Sequence, residues 1–145
     1  MNSLLVLMLS GILSLGAIDI QQINWDLLAD VTFVSKYMPD DGLYFYEPRF
    51  GNKITPYKGK EVYITGYMIP IDPEEGFYVL SKSTFANCFF CGAAGPESVV
   101  ELEFQFPGKQ KFEMDQKVTI RGYLKFNYDD IYKLNYILEE ASVYK

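Results

Sequence analysis

The 145-residue sequence has no histidine, only two cysteines, Cys88 and Cys91, and fewer basic than acidic residues. Without histidine, the usual general base and the usual partner of a catalytic nucleophile are missing, which disfavours most hydrolytic enzymes. With 13 basic and 19 acidic residues the net charge is −6, so a polyanion would be repelled. These absences disfavour nucleic acid as a partner and favour a non-catalytic binding or accessory role.

Aromatic side chains are plentiful, with 12 Tyr and 11 Phe. Hydrophobic residues make up 49% of the chain and charged residues only 22%, a balance typical of a globular protein. Because aromatic residues are favoured in strands, the composition predicts a mostly β fold. The chain length suits one domain.

An apolar run over residues 4–15 has the length of a signal-peptide core and is too short to span a bilayer as a helix. Ser14 and Gly16 are small residues at the positions that signal peptidase recognises before a cleavage site. The sequence therefore predicts a signal peptide over residues 1–16 and cleavage before Ala17. The protein is then extracytoplasmic, periplasmic or secreted, and meets the membrane only during export. The alternative is an N-terminal anchoring or core helix, because no Lys or Arg precedes the run.

Residues 17–57 are expected to form a lead-in that packs on the main domain. Asn24 can cap a short helix over Trp25, Leu27 and Leu28, since its side chain can accept from free N–H groups of the first turn. Turn residues at 39–42, 47–48 and 51–52 interrupt longer elements, so one or two short strands are expected here.

Residues 58–145 contain five segments with the two-residue period of strands, at 60–70, 77–82, 98–106, 117–126 and 131–143. Val-x-Ile-x-Gly-Tyr occurs in the first and fourth, and its Gly66 and Gly122 are expected at the corners of a small barrel. A change of phase near Glu139 and Glu140 indicates a bulge. The prediction is a five-stranded OB-like β-barrel, with a two-sheet sandwich as the alternative.

The sequence resembles a bacterial domain-of-unknown-function family of small exported proteins related to OB folds. The resemblance rests on four short motifs, which are Trp25-Asp26-Leu27, Gly59-Lys60-x-Val62, Gly66-Tyr67-Met68-x-Pro70 and a Cys loop followed by Gly95-Pro96-Glu97-Ser98. Many members have one Cys followed by a His and prolines in that loop, whereas this chain has Cys88-Phe89-Phe90-Cys91-Gly92. Because members resemble accessory proteins of metal-transport systems, the resemblance implies metal handling.

The Cys88 and Cys91 pair supports three interpretations. An oxidising compartment favours a disulfide between them. Two thiolates also suit zinc or cuprous copper, with Glu97 or Glu101 completing the site or a second chain supplying another Cys pair. The third is a thiol–disulfide redox protein, although no βαβ pattern surrounds the Cys-x-x-Cys motif.

The loop is expected between the second and third barrel strands, with Phe89 or Phe90 buried to anchor it. Glu101 and Glu103 alternate with apolar residues, which is typical of a solvated strand face. Three outward tyrosines, Tyr63, Tyr67 and Tyr123, are interpreted as sheet packing, with a platform for a sugar or peptide left open.

Overall fold

Strand pairing dominates the computed structural model, which describes residues 19–145. The signal peptide predicted over residues 1–16 lies outside these residues. Besides short 3₁₀ turns, the described part contains one short α-helix and eight strands, which are β1 (Gln21–Gln22), α1 (Trp25–Leu28), β2 (Val31–Met38), β3 (Leu43–Phe50), β4 (Glu61–Asp72), β5 (Phe77–Ser81), β6 (Val99–Phe104), β7 (Lys117–Phe126) and β8 (Tyr136–Val143).

Five strands form a closed barrel in the order β4-β5-β6-β8-β7, with β7 pairing back to β4. β6 and β8 run parallel and the other neighbours are antiparallel. This confirms the predicted five-stranded OB-like barrel. β1 adds a sixth strand, parallel to β4. No helix within residues 19–145 is long and apolar enough to cross a membrane.

The two repeated glycines lie where strand pairing changes. β4 pairs with β7 as far as Tyr67 and with β5 from Tyr67 onward, so Gly66 lies beside the change of partner. Gly122 faces a shift in register between β7 and β8, where Glu140 has a φ of 51°. The predicted bulge near Glu139 and Glu140 is therefore confirmed, and both glycines lie where the barrel strands depart from regular pairing.

The predicted helix at Trp25–Leu28 is confirmed, since the Asn24 side chain accepts from the Leu27 N–H at 2.8 Å. The lead-in strands are longer than expected, because β2 and β3 pair over eight residues each. Residues 39–42 are the turn of this hairpin and do not break it. Phe50 anchors the hairpin on the barrel by stacking on Phe126, with ring centroids 4.2 Å apart.

The fifth barrel strand begins at Tyr136, and the prediction that it starts at Ile131 is wrong. The Asn127 side chain explains the difference, because its amide donates to the carbonyls of Asp130 and Lys133, at 2.7 and 3.1 Å. This buried amide closes residues 127–135 into a loop. The alternation before Tyr136 therefore occurs in a loop that hydrogen bonds from Asn127 hold folded.

Candidate functional site

The Cys loop lies in the predicted place, between β5 and β6. Cys88 separates two 3₁₀ turns, Phe85–Asn87 and Phe89–Cys91, and Gly92 ends the second with a φ of 73°. Left-handed backbone of this kind favours glycine because it has no Cβ. Cys88 is fully buried and Cys91 is exposed, and both are free thiols in this structure.

The Cys91 thiol is poorly suited to nucleophilic chemistry. Its sulfur donates to the Phe85 carbonyl at 3.0 Å. Loss of solvent around the sulfur and the adjacent Cys88 raise the pKa of Cys91 above its ordinary value. Because the thiolate is the reactive species, a raised pKa lowers the reactivity of this thiol at neutral pH. The redox interpretation, which requires a lowered thiol pKa, stays a prediction from the sequence.

Glu97 lies in the turn Pro96–Ser98 that leads into β6. Within residues 19–145, no group of three or more Cys, Asp or Glu side chains is close enough to hold a metal ion. The structure thus brings Cys88 and Cys91 together but does not assemble them with Glu97 or Glu101 into a three-ligand set. A zinc or copper site stays a prediction from the sequence, and it requires ligands from elsewhere.

The aromatic residues of the loop are less buried than expected. Phe89 is half-buried and Phe90 is 42% exposed, so the prediction that at least one ring is buried is wrong. The two rings contact each other edge to face, with centroids 5.5 Å apart. The buried Cys88 anchors the loop in their place, which leaves Phe89 available to line a cavity.

An open groove of about 680 Å³ lies between the hairpin, the Cys loop and the loop before β8. We call it the aromatic groove. Its hairpin wall is Phe33 and residues 43–46, and the turns before β6 add Phe89 and Pro96 to the lining. Its loop wall, from the loop before β8, consists of Ile131, Lys133, Leu134 and Asn135. The surface is predominantly apolar, which suits an apolar ligand.

Lys133, the one cationic side chain lining the groove, is already paired. Its ammonium donates to Glu101 at 3.2 Å and also to Glu103. The hydrogen bond to Glu103 is the largest cause of a pKa of Lys133 above its ordinary value, and the hydrogen bond to Glu101 raises this pKa further. Glu101 also accepts from the Leu134 N–H at 3.1 Å and is only 6% exposed. The prediction that Glu101 is solvated is therefore wrong, because its carboxylate is buried and hydrogen-bonds to Lys133 and Leu134 of the groove lining.

The outer part of the hairpin exposes large apolar side chains. Tyr44 is 70% exposed, Tyr46 66% and Tyr37 53%, and the register of the hairpin places these three side chains on one face of it. Val34 and Leu43 are exposed on the other face. Exposed apolar side chains that share one face are a common feature of interaction sites. The sequence contained the signal, Leu-Tyr-Phe-Tyr at 43–46, but the turn residues around it suggested only a lead-in.

The outward tyrosines of the barrel do not line this groove. Tyr63 stacks on Tyr144 with centroids 4.5 Å apart, as expected of sheet packing. Tyr123 is 38% exposed. The candidate site is therefore on the hairpin side of the barrel.

Comparison with known proteins found no relative of this chain. No family model matches the chain, and no curated protein or solved structure matches it.

Proposed function

We propose that the protein is a non-catalytic, extracytoplasmic binding module whose ligand occupies the aromatic groove. The observation that carries the proposal is the groove itself, about 680 Å³ in volume and bordered by exposed tyrosines. Removing such apolar surface from water is favourable, at roughly 25 cal/mol per Å². A ligand that covers Tyr44, Tyr46 and Phe89 would gain this free energy.

The electrostatics of the groove favour an uncharged or weakly charged ligand. Glu101 and Glu103 already satisfy Lys133, so an anionic ligand would have to compete with two carboxylates. On the hairpin, Glu47 pairs with Lys36 and Arg49 in the same way. Recognition is therefore expected to depend on shape and apolar contact.

The fluorescent dye ANS, which binds exposed apolar surface, provides a direct test. The folded protein should enhance ANS fluorescence, and Tyr46→Ala should reduce the enhancement several-fold because it removes an exposed aromatic ring from the hairpin wall. Tyr123→Ala is the matched control, since Tyr123 is an exposed tyrosine outside the groove. Equal dye binding by the two variants would place the apolar site elsewhere and contradict the proposal.

The extracytoplasmic location rests on the apolar run at 4–15 and the small residues Ser14 and Gly16. Expression of the full sequence should give a periplasmic or secreted species whose intact mass begins near Ala17. A soluble cytoplasmic species that retains residues 1–16 would contradict this part of the proposal.

A further inference from the structure

One edge of β3 runs along the aromatic groove. Four consecutive residues, 43–46, line the groove, and consecutive strand residues point to opposite faces of a sheet. Only a strand edge presents both sets of side chains to one cavity. Within residues 19–145, β3 pairs with β2 alone, so the edge that faces the groove has no strand partner.

The position of Pro48 indicates which backbone groups on this edge are free. Pro48 lies opposite Phe33 in the hairpin and has no N–H to donate to β2. A proline is tolerated in a strand where the nitrogen points away from the neighbouring strand. Because hydrogen-bonding direction repeats every two residues, Tyr46 and Tyr44 direct their N–H and C=O groups outward as well.

We infer that the groove binds an extended, apolar segment of another polypeptide, which adds as a strand to the free edge of β3. This inference rests on the proposed function and names the ligand class of the same site. Main-chain hydrogen bonds to Tyr44 and Tyr46 would supply affinity, and the groove walls would select alternate apolar side chains. Residues 43–46 offer about 13 Å of edge, at roughly 3.3 Å per residue.

A second copy of the chain is disfavoured as the occupant. Leu134 and Asn135 of the barrel line the same groove as residues 43–46 of β3. To pair with the free edge of β3, the edge of a second copy would have to enter the groove beside this loop. A single extended segment can enter the groove, whereas a folded β2–β3 hairpin of a second copy would meet the barrel wall.

Charge complementarity indicates one end of the bound segment. Asp40 and Asp41 lie in the turn immediately before β3, and no ion pair involves them within residues 19–145. The groove itself is lined mainly by apolar side chains and by Lys133, whose charge Glu101 and Glu103 neutralise. The expected segment is therefore apolar at alternate positions, with a Lys or Arg at the end that lies beside the turn.

A phage-displayed library of octapeptides tests the inference, with alternating Val, Ile, Tyr or Phe and a basic residue at either end. Enriched peptides are then measured by fluorescence anisotropy against Tyr46→Pro and Tyr46→Ala. Both variants lose the phenol, but only the proline loses the outward N–H. Binding should be at least tenfold weaker to the proline variant. Equal binding to both, or no enriched peptide, would overturn the inference.

N-methylation of the peptide provides a test that leaves the protein unchanged. One form of the best peptide is methylated at alternate amides, and a second form at the remaining amides. Strand addition directs only one set toward β3, so one form should lose at least tenfold in affinity and the other far less. Equal loss would overturn strand addition.

The outcomes separate the two proposals. If ANS binding depends on Tyr46 but the affinity for the peptides is unaffected by Tyr46→Pro, the groove stays the binding site and strand addition is rejected. If Tyr46→Ala leaves ANS binding unchanged, the groove is not the binding site and both proposals are rejected. A dimer in sedimentation velocity that Tyr46→Pro dissociates would replace the peptide by a second copy and so overturn the inference.

Discussion

Trp25 of the lead-in lies directly against Gly66 of the barrel. The indole N–H donates to the Thr65 carbonyl at 2.8 Å. A Cβ placed on Gly66 would lie 2.8 Å from Cζ2 of that indole and 2.6 Å from the Ser81 carbonyl oxygen. Glycine at position 66 thus allows the helix that follows Asn24 to pack on the corner of β4.

Gly66→Ala tests this packing with a single added methyl group. We expect a loss of about 1–3 kcal/mol in the free energy of unfolding, because a backbone carbonyl of β5 cannot move aside as a side chain could. Urea denaturation followed by far-UV circular dichroism measures the loss. Lys117→Ala, at an exposed position of β7, is the control. An unfolding midpoint equal to that of the control would contradict the expectation.

The barrel could be predicted from the sequence because its signals are local. The two-residue period identified β4 and β7, and the repeated glycines and the phase change at Glu139 located the departures from regular pairing. The period failed at residues 131–135, where hydrogen bonds from Asn127 fix a loop. Periodicity alone does not reveal a side chain that closes a loop.

The aromatic groove could not be predicted in the same way. Its walls come from residues 43–46 and 131–135, which are distant in sequence and meet only after folding. The Cys loop was placed correctly between two strands, but the burial of Cys88 and the exposure of Phe90 depend on contacts that spacing does not specify. Glu101 was likewise assigned to solvent because its partner Lys133 lies far along the chain.

Tyr136 joins the barrel to the lead-in through its hydroxyl, which donates to the Leu28 carbonyl at 2.8 Å. Both residues are fully buried. Tyr136→Phe removes the donor and leaves the Leu28 carbonyl without this partner, so we expect a cost of about 1–3 kcal/mol at neutral pH. Equilibrium denaturation measures it. Tyr132→Phe, which changes a highly exposed hydroxyl, should have no measurable effect.

The stability difference between wild type and Tyr136→Phe should depend on pH. Burial, followed by the charges of Asp30 and Glu97, raises the pKa of Tyr136 above its ordinary value. A raised folded-state pKa gives stability that is complete below about pH 10, the unfolded value, and is lost as pH rises toward the folded pKa. Wild type should therefore lose stability relative to Tyr136→Phe above about pH 10. A difference that stays constant from pH 8 to pH 11 would contradict this assignment.

The two cysteines are expected to differ in reactivity. Cys91 is exposed and Cys88 is fully buried, so iodoacetamide should modify Cys91 first in the native protein. Because the pKa of Cys91 is raised, its rate at pH 8 should be lower than that of free cysteine and should increase as pH rises. Peptide mass spectrometry with time identifies the site. Modification of Cys88 at an equal rate would contradict the burial.

Oxidation state provides a check on the same pair. The free thiols of this structure and a disulfide differ by two mass units, which intact mass measurement with and without reductant resolves. Zinc or copper retained by wild type and lost in the Cys88→Ser, Cys91→Ser double variant would support the metal interpretation, with further ligands from outside this loop. Metal retained by the double variant would exclude the cysteines as ligands.

Lys133 holds the loop wall of the aromatic groove by pairing with Glu101 and Glu103. Lys133→Met keeps most of the aliphatic stem but leaves the buried Glu101 carboxylate without its cation. We expect a loss on the order of 1–3 kcal/mol, below the range for a fully buried pair because Lys133 is partly exposed. Hydrogen exchange at residues 131–135 should increase, and ANS binding should weaken as the wall loosens.

A second substitution separates the ion pair from simple packing. Glu101→Gln in the Lys133→Met background removes the uncompensated charge, so part of the lost stability should return. Lys125→Met is the matched control, since its partner Glu139 is exposed and the loss of a surface pair should have no measurable effect. If Lys133→Met leaves both stability and exchange at 131–135 unchanged, the ion pair does not position the groove wall. If the double variant is no more stable than Lys133→Met, the uncompensated charge of Glu101 is not the cause of the lost stability.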